Sequence, residues 1–233
     1  MNNDNKHTFI LASGSPRRSF LLKSAGFNFI VAPSDADESF PEDIAVENVP
    51  AYLASVKARA SRERHSGNML IVTADTVVIS NGKILNKPAS EEEAVSMLIQ
   101  LAGTSHKVIT SVALSTGRNT EIISCASEVY FRKLTHEQIM NYVRDFKPMD
   151  KAGAYGAQEC LPPDFNPCSS EENEFLVSKG LTGLLLDSQP DPKITKPMIA
   201  IEKIEGSFFN VMGLPLHLVT DRLNSLIQVN PQK

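Results

Sequence analysis

The sequence predicts a mixed α/β protein built on one sheet with helices against it. Three observations carry this reading. Short apolar runs alternate along the chain with segments of helical periodicity. Helical segments open on Ser15, Ser90 and Thr135, and the last two have a Glu or Gln three positions on, as a capping box requires. An Asn81-Gly82 pair between two apolar runs marks a hairpin, so part of the sheet is antiparallel.

Each element can be justified in turn. Residues 8–13 form a short apolar strand that runs into Gly14-Ser15-Pro16, with Ser15 as N-cap and Pro16 in the first helical position. The helix over 17–24 stops near Gly26. Residues 27–31 read as a second strand, followed by an acidic, proline-bearing loop over 33–47. Residues 50–65 are helical, with Tyr52, Leu53 and Val56 on the apolar face. A strong strand over 69–74 continues through 76–80 to the Asn81-Gly82 turn. Ser90 with Glu93 opens a helix to Leu101, and 106–115 and 121–131 alternate like paired strands. Thr135 with Gln138 starts a helix to about Arg144, and 215–228 reads as a closing helix.

Residues 159–196 break the pattern. They hold five of the fourteen prolines, and residues 159–193 carry a net charge of −5 against −4 for the whole chain, so the chain outside 159–193 is slightly basic. The expectation is one domain over 8–228 carrying a partly ordered or disordered insertion at 159–196. Exchange of 162–191 for a short linker should then be tolerated, since loop length alone costs little.

Composition excludes several classes. A net charge of −4 argues against a dedicated nucleic-acid binder. The apolar runs are too short to span a bilayer, and the polar residues 1–7 lack the core of a secretory signal. Cys125, Cys160 and Cys168 have no His or Cys partners at zinc spacing and fit a reducing compartment. A cytoplasmic setting without membrane attachment is expected.

Four clusters could carry chemistry. Ser13-Gly14-Ser15-Pro16-Arg17-Arg18 sits at a strand-to-helix junction, where amides and two guanidinium groups suit an anion, although a capped helix with solvated arginines has the same spacing. Asp75 follows the apolar run 69–74, at a strand's carboxyl end where α/β proteins hold ligands; a turn-forming Asp is the plainer reading. Lys87 in Asn86-Lys87-Pro88 precedes a proline that enforces extended backbone, and alone it reads as a solvated lysine. The small residues of Asp150-Lys151-Ala152-Gly153-Ala154-Tyr155-Gly156-Ala157-Gln158 allow close approach of a ligand, or simply make a turn.

Taken together these clusters resemble the Maf proteins, nucleoside triphosphate pyrophosphatases first named as septum-formation inhibitors. The string from Leu11 to Arg18 looks like their signature. Asp37-Glu38-Ser39, Lys57-Ala58, Ala74-Asp75-Thr76, Leu85-Asn86-Lys87-Pro88, Gly103-Thr104-Ser105-His106, Asp150 to Gln158 and Asn210 to Pro215 follow in the family's order. Two positions depart from the pattern: Glu159 and Asn86 stand where glycine is common.

The resemblance implies an elongated, twisted mixed sheet flanked by helices, with two lobes around a nucleotide-binding cleft, a Maf/ITPase-like fold. It implies cleavage of a nucleoside triphosphate to the monophosphate and pyrophosphate with a divalent cation, Mg²⁺ or Mn²⁺. By motif, Asp75 would be the general base and a metal ligand, with Glu38 as the second. Ser13, Ser15, Arg17, Arg18, Lys57 and Lys87 would hold the triphosphate, with Arg18 toward the nucleoside. Thr76 and Gln158 would touch the nucleotide. Ala-Asp-Thr resembles the branch acting on dTTP and UTP rather than the methylated-GTP branch, which carries Asp-Gln. A homodimer is also implied. A protein of the same family acting as a division regulator, docking a partner through the acidic insertion, is the alternative.

Overall fold

Seven strands form one sheet in the computed structural model, which describes residues 9–65, 67, 69–117, 119–187 and 198–229. The strands are β1 (Phe9–Leu11), β2 (Phe29–Val31), β3 (Leu70–Ser80), β4 (Lys83–Leu85), β5 (Ser105–Thr116), β6 (Asn119–Phe131) and β7 (Ile201–Glu205). Their order is β2-β1-β3-β5-β6-β7, with β4 paired to β3. β1 runs parallel to β2 and β3, whereas β3/β4 and β6/β7 are antiparallel, so the mixed α/β class holds. The helices are α1 (Pro16–Ser24), α2 (Val49–Arg64), α3 (Glu91–Leu101), α4 (His136–Phe146), α5 (Ser170–Lys179), α6 (Leu184–Asp187), α7 (Phe208–Val211) and α8 (Leu216–Val229). The chain divides into two compact units, one of residues 1–75, 110–125 and 213–233, the other of 76–109 and 126–212.

In the first unit α1 connects the parallel strands β1 and β2. Ser15 caps it by accepting from the Arg18 amide, and Pro16 occupies the first turn, as the sequence predicts. The Phe9 ring lies 5.9 Å from that of Phe27 and 5.4 Å from that of Phe29, which fixes β2 on β1. Helix α2 buries Leu53, Ala54, Ala58 and Ser61, not the face through Tyr52 and Val56 expected from periodicity; Tyr52 is 37% exposed. Alanine is the reason. Ala54 and Ala58 cluster with Ala113 of β5, and the Thr73 hydroxyl donates to the Ala54 carbonyl at 2.7 Å, so α2 lies close on the sheet.

In the second unit the β3–β4 hairpin turns through Asn81 and Gly82, both with positive φ (50° and 74°), and Ser80 pairs with Lys83. Two consecutive left-handed residues are what a two-residue hairpin of native twist needs. Helix α4 opens on the Thr135–Gln138 capping box, with both reciprocal bonds made. His106, Phe131 and Tyr155 pack edge to face, and His106 Nε2 lies 2.7 Å from the Tyr155 hydroxyl. Burial pulls the His106 pKa down to about 4, so the ring is neutral at physiological pH.

The described part of the 159–196 segment is built into this unit; 188–197 lie outside the described residues. Cys160, Leu161, Phe175 and Leu176 are buried. Glu172 of α5 is fully buried, and its carboxylate accepts from the Ser207 hydroxyl (2.5 Å), the Phe208 and Phe209 amides (2.9 Å each) and the Ser169 amide (3.1 Å). One side chain thereby closes the capping box of α5 and satisfies the start of α7. This changes the expectation for the linker exchange over 162–191, because it would strip three buried donors, the Ser207 hydroxyl and the Phe208 and Phe209 amides, of their acceptor. β7 also went unassigned in the sequence: Glu202, Lys203 and Glu205 mask its alternation at the sheet edge.

Glu172→Ala is therefore expected to lower unfolding free energy by about 3 kcal/mol or more, since each unsatisfied buried donor costs about 1–3 kcal/mol. Urea unfolding followed by far-ultraviolet circular dichroism measures it; a change below about 1 kcal/mol would show that the carboxylate is dispensable.

Candidate active site

Asp75 lies in the middle of β3, not at the end of a strand. β1 pairs with Leu70–Val72 and β4 with Val78–Ser80, so Asp75 falls in the interval where the neighbour of β3 changes. The strand burial pattern is otherwise almost wholly apolar, and Asp75 itself is only 7% exposed. Its Oδ1 lies 2.6 Å from Lys57 Nζ, which also lies 3.2 Å from Glu38 Oε1. Two carboxylates thus converge on one cation. Lys57 reaches them from α2, whose close seating on alanines sets the distance. Neighbouring Asp37 instead takes the Ser39 amide and hydroxyl at 3.0 and 2.9 Å, which shapes the loop bearing Glu38. Those bonds hold the Asp37 carboxyl below its usual range.

Arg18 approaches the same strand from α1. Its Nη1 donates to the Ala74 carbonyl (2.8 Å) and to the Ser13 hydroxyl (3.1 Å), and its Nε donates to the Gly213 carbonyl (2.8 Å). Ser13 Oγ also accepts from the Ser15 amide at 3.3 Å, so the 13–18 turn is bonded to itself and to β3. Desolvation pulls the Arg18 pKa down to about 10, against the opposing pull of Asp75, and it stays protonated at neutral pH. The sequence reading placed Arg18 toward a nucleoside; the structure commits it to protein carbonyls. Adjacent strand residues face opposite sides, so Thr76 does not share the face on which Asp75 meets Lys57. Within the first unit, Ser13, Ser15, Arg18, Lys57, Glu38 and Asp75 therefore come together, with Arg17 next along α1.

The second unit joins the two remaining motifs. The Gly153 amide donates to the Asn86 carbonyl at 3.3 Å, tying the 150–158 segment to the Asn86-Lys87-Pro88 segment. Gly153 has φ +68°, and a Cβ there would meet Val78 at 3.0–3.2 Å, so glycine is required. Lys87 is exposed and makes no ion pair among the described residues. Gln158 sits in a 3₁₀ turn over Ala157–Glu159, and its Oε1 is buried with no hydrogen-bond partner among the described residues. Burial pushes the Cys160 thiol and the Tyr142 and Tyr155 phenols well above their usual ranges, which removes them as nucleophiles at neutral pH.

Four participants were missed in the sequence: Gly213, which carries an acceptor for Arg18, and Lys151, Tyr142 and Glu159, which bond one another at the turn that bears Gln158. Gly213 and Lys151 stood inside quoted motifs without a role. Among the described residues no group of three or more His, Cys, Asp or Glu side chains is placed to hold a metal ion, so Glu38 and Asp75 are the candidate ligands.

Residues 8–163 match the family described as Maf-like protein. A protein of Bacteroides thetaiotaomicron is 37% identical over 97% of this chain and the whole of its own length, and one of Porphyromonas gingivalis is 37% identical over 99% and 100%. A third, from Desulfitobacterium hafniense, is 39% identical over 92% of this chain and 83% of its own. All three bear the name dTTP/UTP pyrophosphatase. Among solved structures, the Staphylococcus aureus Ham1 protein aligns with a TM-score of 0.40 at 12% identity, over 53% of this chain and 71% of that one.

The two adjacent arginines should separate in a stability measurement. Arg18→Ala is expected to cost about 1.5–3 kcal/mol in urea unfolding, the range for hydrogen bonds to a charged group, and Arg17→Ala less than about 1 kcal/mol. Equal losses would contradict the assignment of Arg18 as the clamp.

Proposed function

The chain belongs to the Maf family, and on that premise we propose that it hydrolyses dTTP and UTP between the α and β phosphates, releasing the monophosphate and pyrophosphate. The observation that carries this reading is the buried Asp75 with Lys57 at 2.6 Å and Glu38 and Arg18 in the same cluster. The names of the relatives supply the substrates.

A triphosphate carries about four negative charges, so such a site works mainly by clamping them with cations and aligning one water. We assign the clamp to Arg17, Lys57 and Lys87 with the hydroxyls of Ser13 and Ser15, and Arg18 to holding Ser13 and the strand that bears Asp75. Asp75 is the base. Lys57 takes its Oδ1, while Oδ2 accepts no hydrogen bond among the described residues and is the atom that receives the water proton. A carboxylate with a reference pKa of about 3.9 lies about 12 units below free water, a mismatch of about 16 kcal/mol. A divalent cation, Mg²⁺ or Mn²⁺, would acidify the water when bound. The residues fit one: Glu38 and Asp75 already converge on a single positive charge, and a magnesium-type ion takes one or two carboxylates and completes its shell with phosphate and water. Gln158 and Thr76 are assigned to the nucleoside side.

A cytoplasmic setting belongs to the same reading, supported by three cysteines outside any disulfide. Among the described residues no helix is long and apolar enough to cross a membrane. The homodimer implied by the resemblance is part of the proposal and is read by sedimentation.

Two results test the proposal. With a panel of nucleoside triphosphates and Mg²⁺ or Mn²⁺, pyrophosphate release should favour dTTP and UTP, and Asp75→Asn should lower it about 100-fold or more; retention of a tenth of the activity would remove Asp75 as the base. In the absence of nucleotide, Lys57→Met should bind Mn²⁺ at least about tenfold more tightly than the parent, because the ammonium no longer competes for both carboxylates. Electron paramagnetic resonance of free Mn²⁺ reads this directly, and unchanged affinity would remove Glu38 and Asp75 as the metal ligands.

A further inference from the structure

We propose that Glu159 is a positioning residue for base selection: its carboxylate, held by Tyr142 and Lys151, fixes the turn that presents Gln158. The inference rests on the pyrophosphatase reading and extends it to how the base is chosen.

The geometry is a closed frame around one turn. The Tyr142 hydroxyl donates to Glu159 Oε2 at 2.5 Å and accepts from the Gly156 amide at 2.9 Å, so a residue of α4 grips both ends of the 156–159 turn. Lys151 Nζ lies 3.5 Å from Glu159 Oε1 and 2.8 Å from Asp150 Oδ1. These groups are largely out of water: the Lys151 and Glu159 side chains are 10% and 16% exposed, and Tyr142 is 1% exposed. The turn closes on itself through Glu159 N to Gly156 O and Cys160 N to Ala157 O. Beyond it the Cys160 carbonyl accepts from the Ala200 and Ile201 amides, which ties it to β7. The carboxylate lies against Gly156, where a Cβ would meet it at 2.6–2.8 Å and displace it.

Inside this frame Gln158 is the exception. Its Oε1 is buried and accepts from nothing among the described residues. A buried acceptor left open within an otherwise bonded frame awaits a donor. The amide of Gln158 offers an acceptor beside a donor pair, which complements an imide edge, N3–H beside a carbonyl, as uracil and thymine present it. Cytosine has no hydrogen at N3 and sets acceptor against acceptor. A site that leaves a buried polar group unpaired with the wrong ligand discriminates strongly, provided the group cannot turn away. The Tyr142–Glu159–Lys151 frame fixes the turn that carries Gln158, and with it the direction in which the amide is presented.

The test compares UTP and CTP with the parent protein, Glu159→Ala, Glu159→Gln and Tyr142→Phe, with pyrophosphate release giving kcat and KM separately. Glu159→Ala is expected to raise KM for UTP about tenfold with kcat within twofold, and to lower the UTP-to-CTP ratio of kcat/KM about tenfold. Glu159→Gln keeps an acceptor for the Tyr142 hydroxyl and should recover most of that ratio. Should Glu159→Ala fail to fold by circular dichroism, Tyr142→Phe removes the same link from its other end and should show the same loss of ratio. An unchanged ratio in a folded Glu159→Ala or Tyr142→Phe protein, or a fall in kcat at constant KM, would overturn the inference. Titration calorimetry with UMP and CMP reads base preference without turnover. Failure of the parent to release pyrophosphate thus counts against the pyrophosphatase reading, and an unaltered UMP-to-CMP preference in the variants counts against the frame.

Discussion

An ionised carboxylate in the middle of an apolar strand must meet a cation, and the contact between Asp75 and Lys57 sets much of the first unit around it. Removing a carboxylate from water costs several kcal/mol even after the protein relaxes around it. The answering ammonium has to come from a helix seated close to the sheet, and α2 is close because Ala54 and Ala58 face Ala113 where larger side chains would hold it away. The Thr73 hydroxyl on the Ala54 carbonyl then ties that helix to the strand two residues before Asp75. From α1, Arg18 grips the carbonyl of Ala74, the residue immediately before Asp75. Two helices and two cations thus address one point on one strand.

The second unit meets the same requirement differently. Glu172 meets it with hydrogen-bond donors: four of them use its two oxygens, which makes it a structural anchor. Glu159 is intermediate, with a phenol on one oxygen and a lysine ammonium farther from the other. Asp75 retains an oxygen that accepts from no donor among the described residues. Lone-pair accounting therefore ranks these three acids. The saturated one is fixed architecture, the partly saturated one holds a neighbour in place, and the one with capacity left is suited to accept a proton.

Local chemistry was legible in the sequence. The caps at Ser15, Ser90 and Thr135 and the Asn81-Gly82 turn depend on residues within four positions of each other, and each is realised. Readings that depend on distant partners were not. Periodicity placed Tyr52 inward because it weighs side-chain size, whereas close approach selected alanine at 54 and 58. Prolines and acidity made 159–187 look peripheral, since nothing local shows that Glu172 will find the Ser207 hydroxyl and the amides after it. The strand-end position expected for Asp75 fails, because the strand does not end at Ala74 but changes neighbour around it. The contribution of Gly213 is a backbone carbonyl, which no side-chain pattern encodes.

That last contact bears on the order in which the protein can be made. Arg18 and Gly213 are 195 residues apart in sequence, and the first unit draws on both ends of the chain. A ribosome adds about 5–20 residues per second, so the amino-terminal strand–turn–helix exists for about ten seconds or more before its last acceptor is synthesised. Through that interval the Arg18 guanidinium has only part of its bonding, and the 13–18 turn is held by local capping and the Ala74 carbonyl without the Gly213 carbonyl. Completion of the first unit is thus deferred to the end of translation, and a nascent chain stalled before Gly213 carries every charged residue of its cluster without the carbonyl that fastens them.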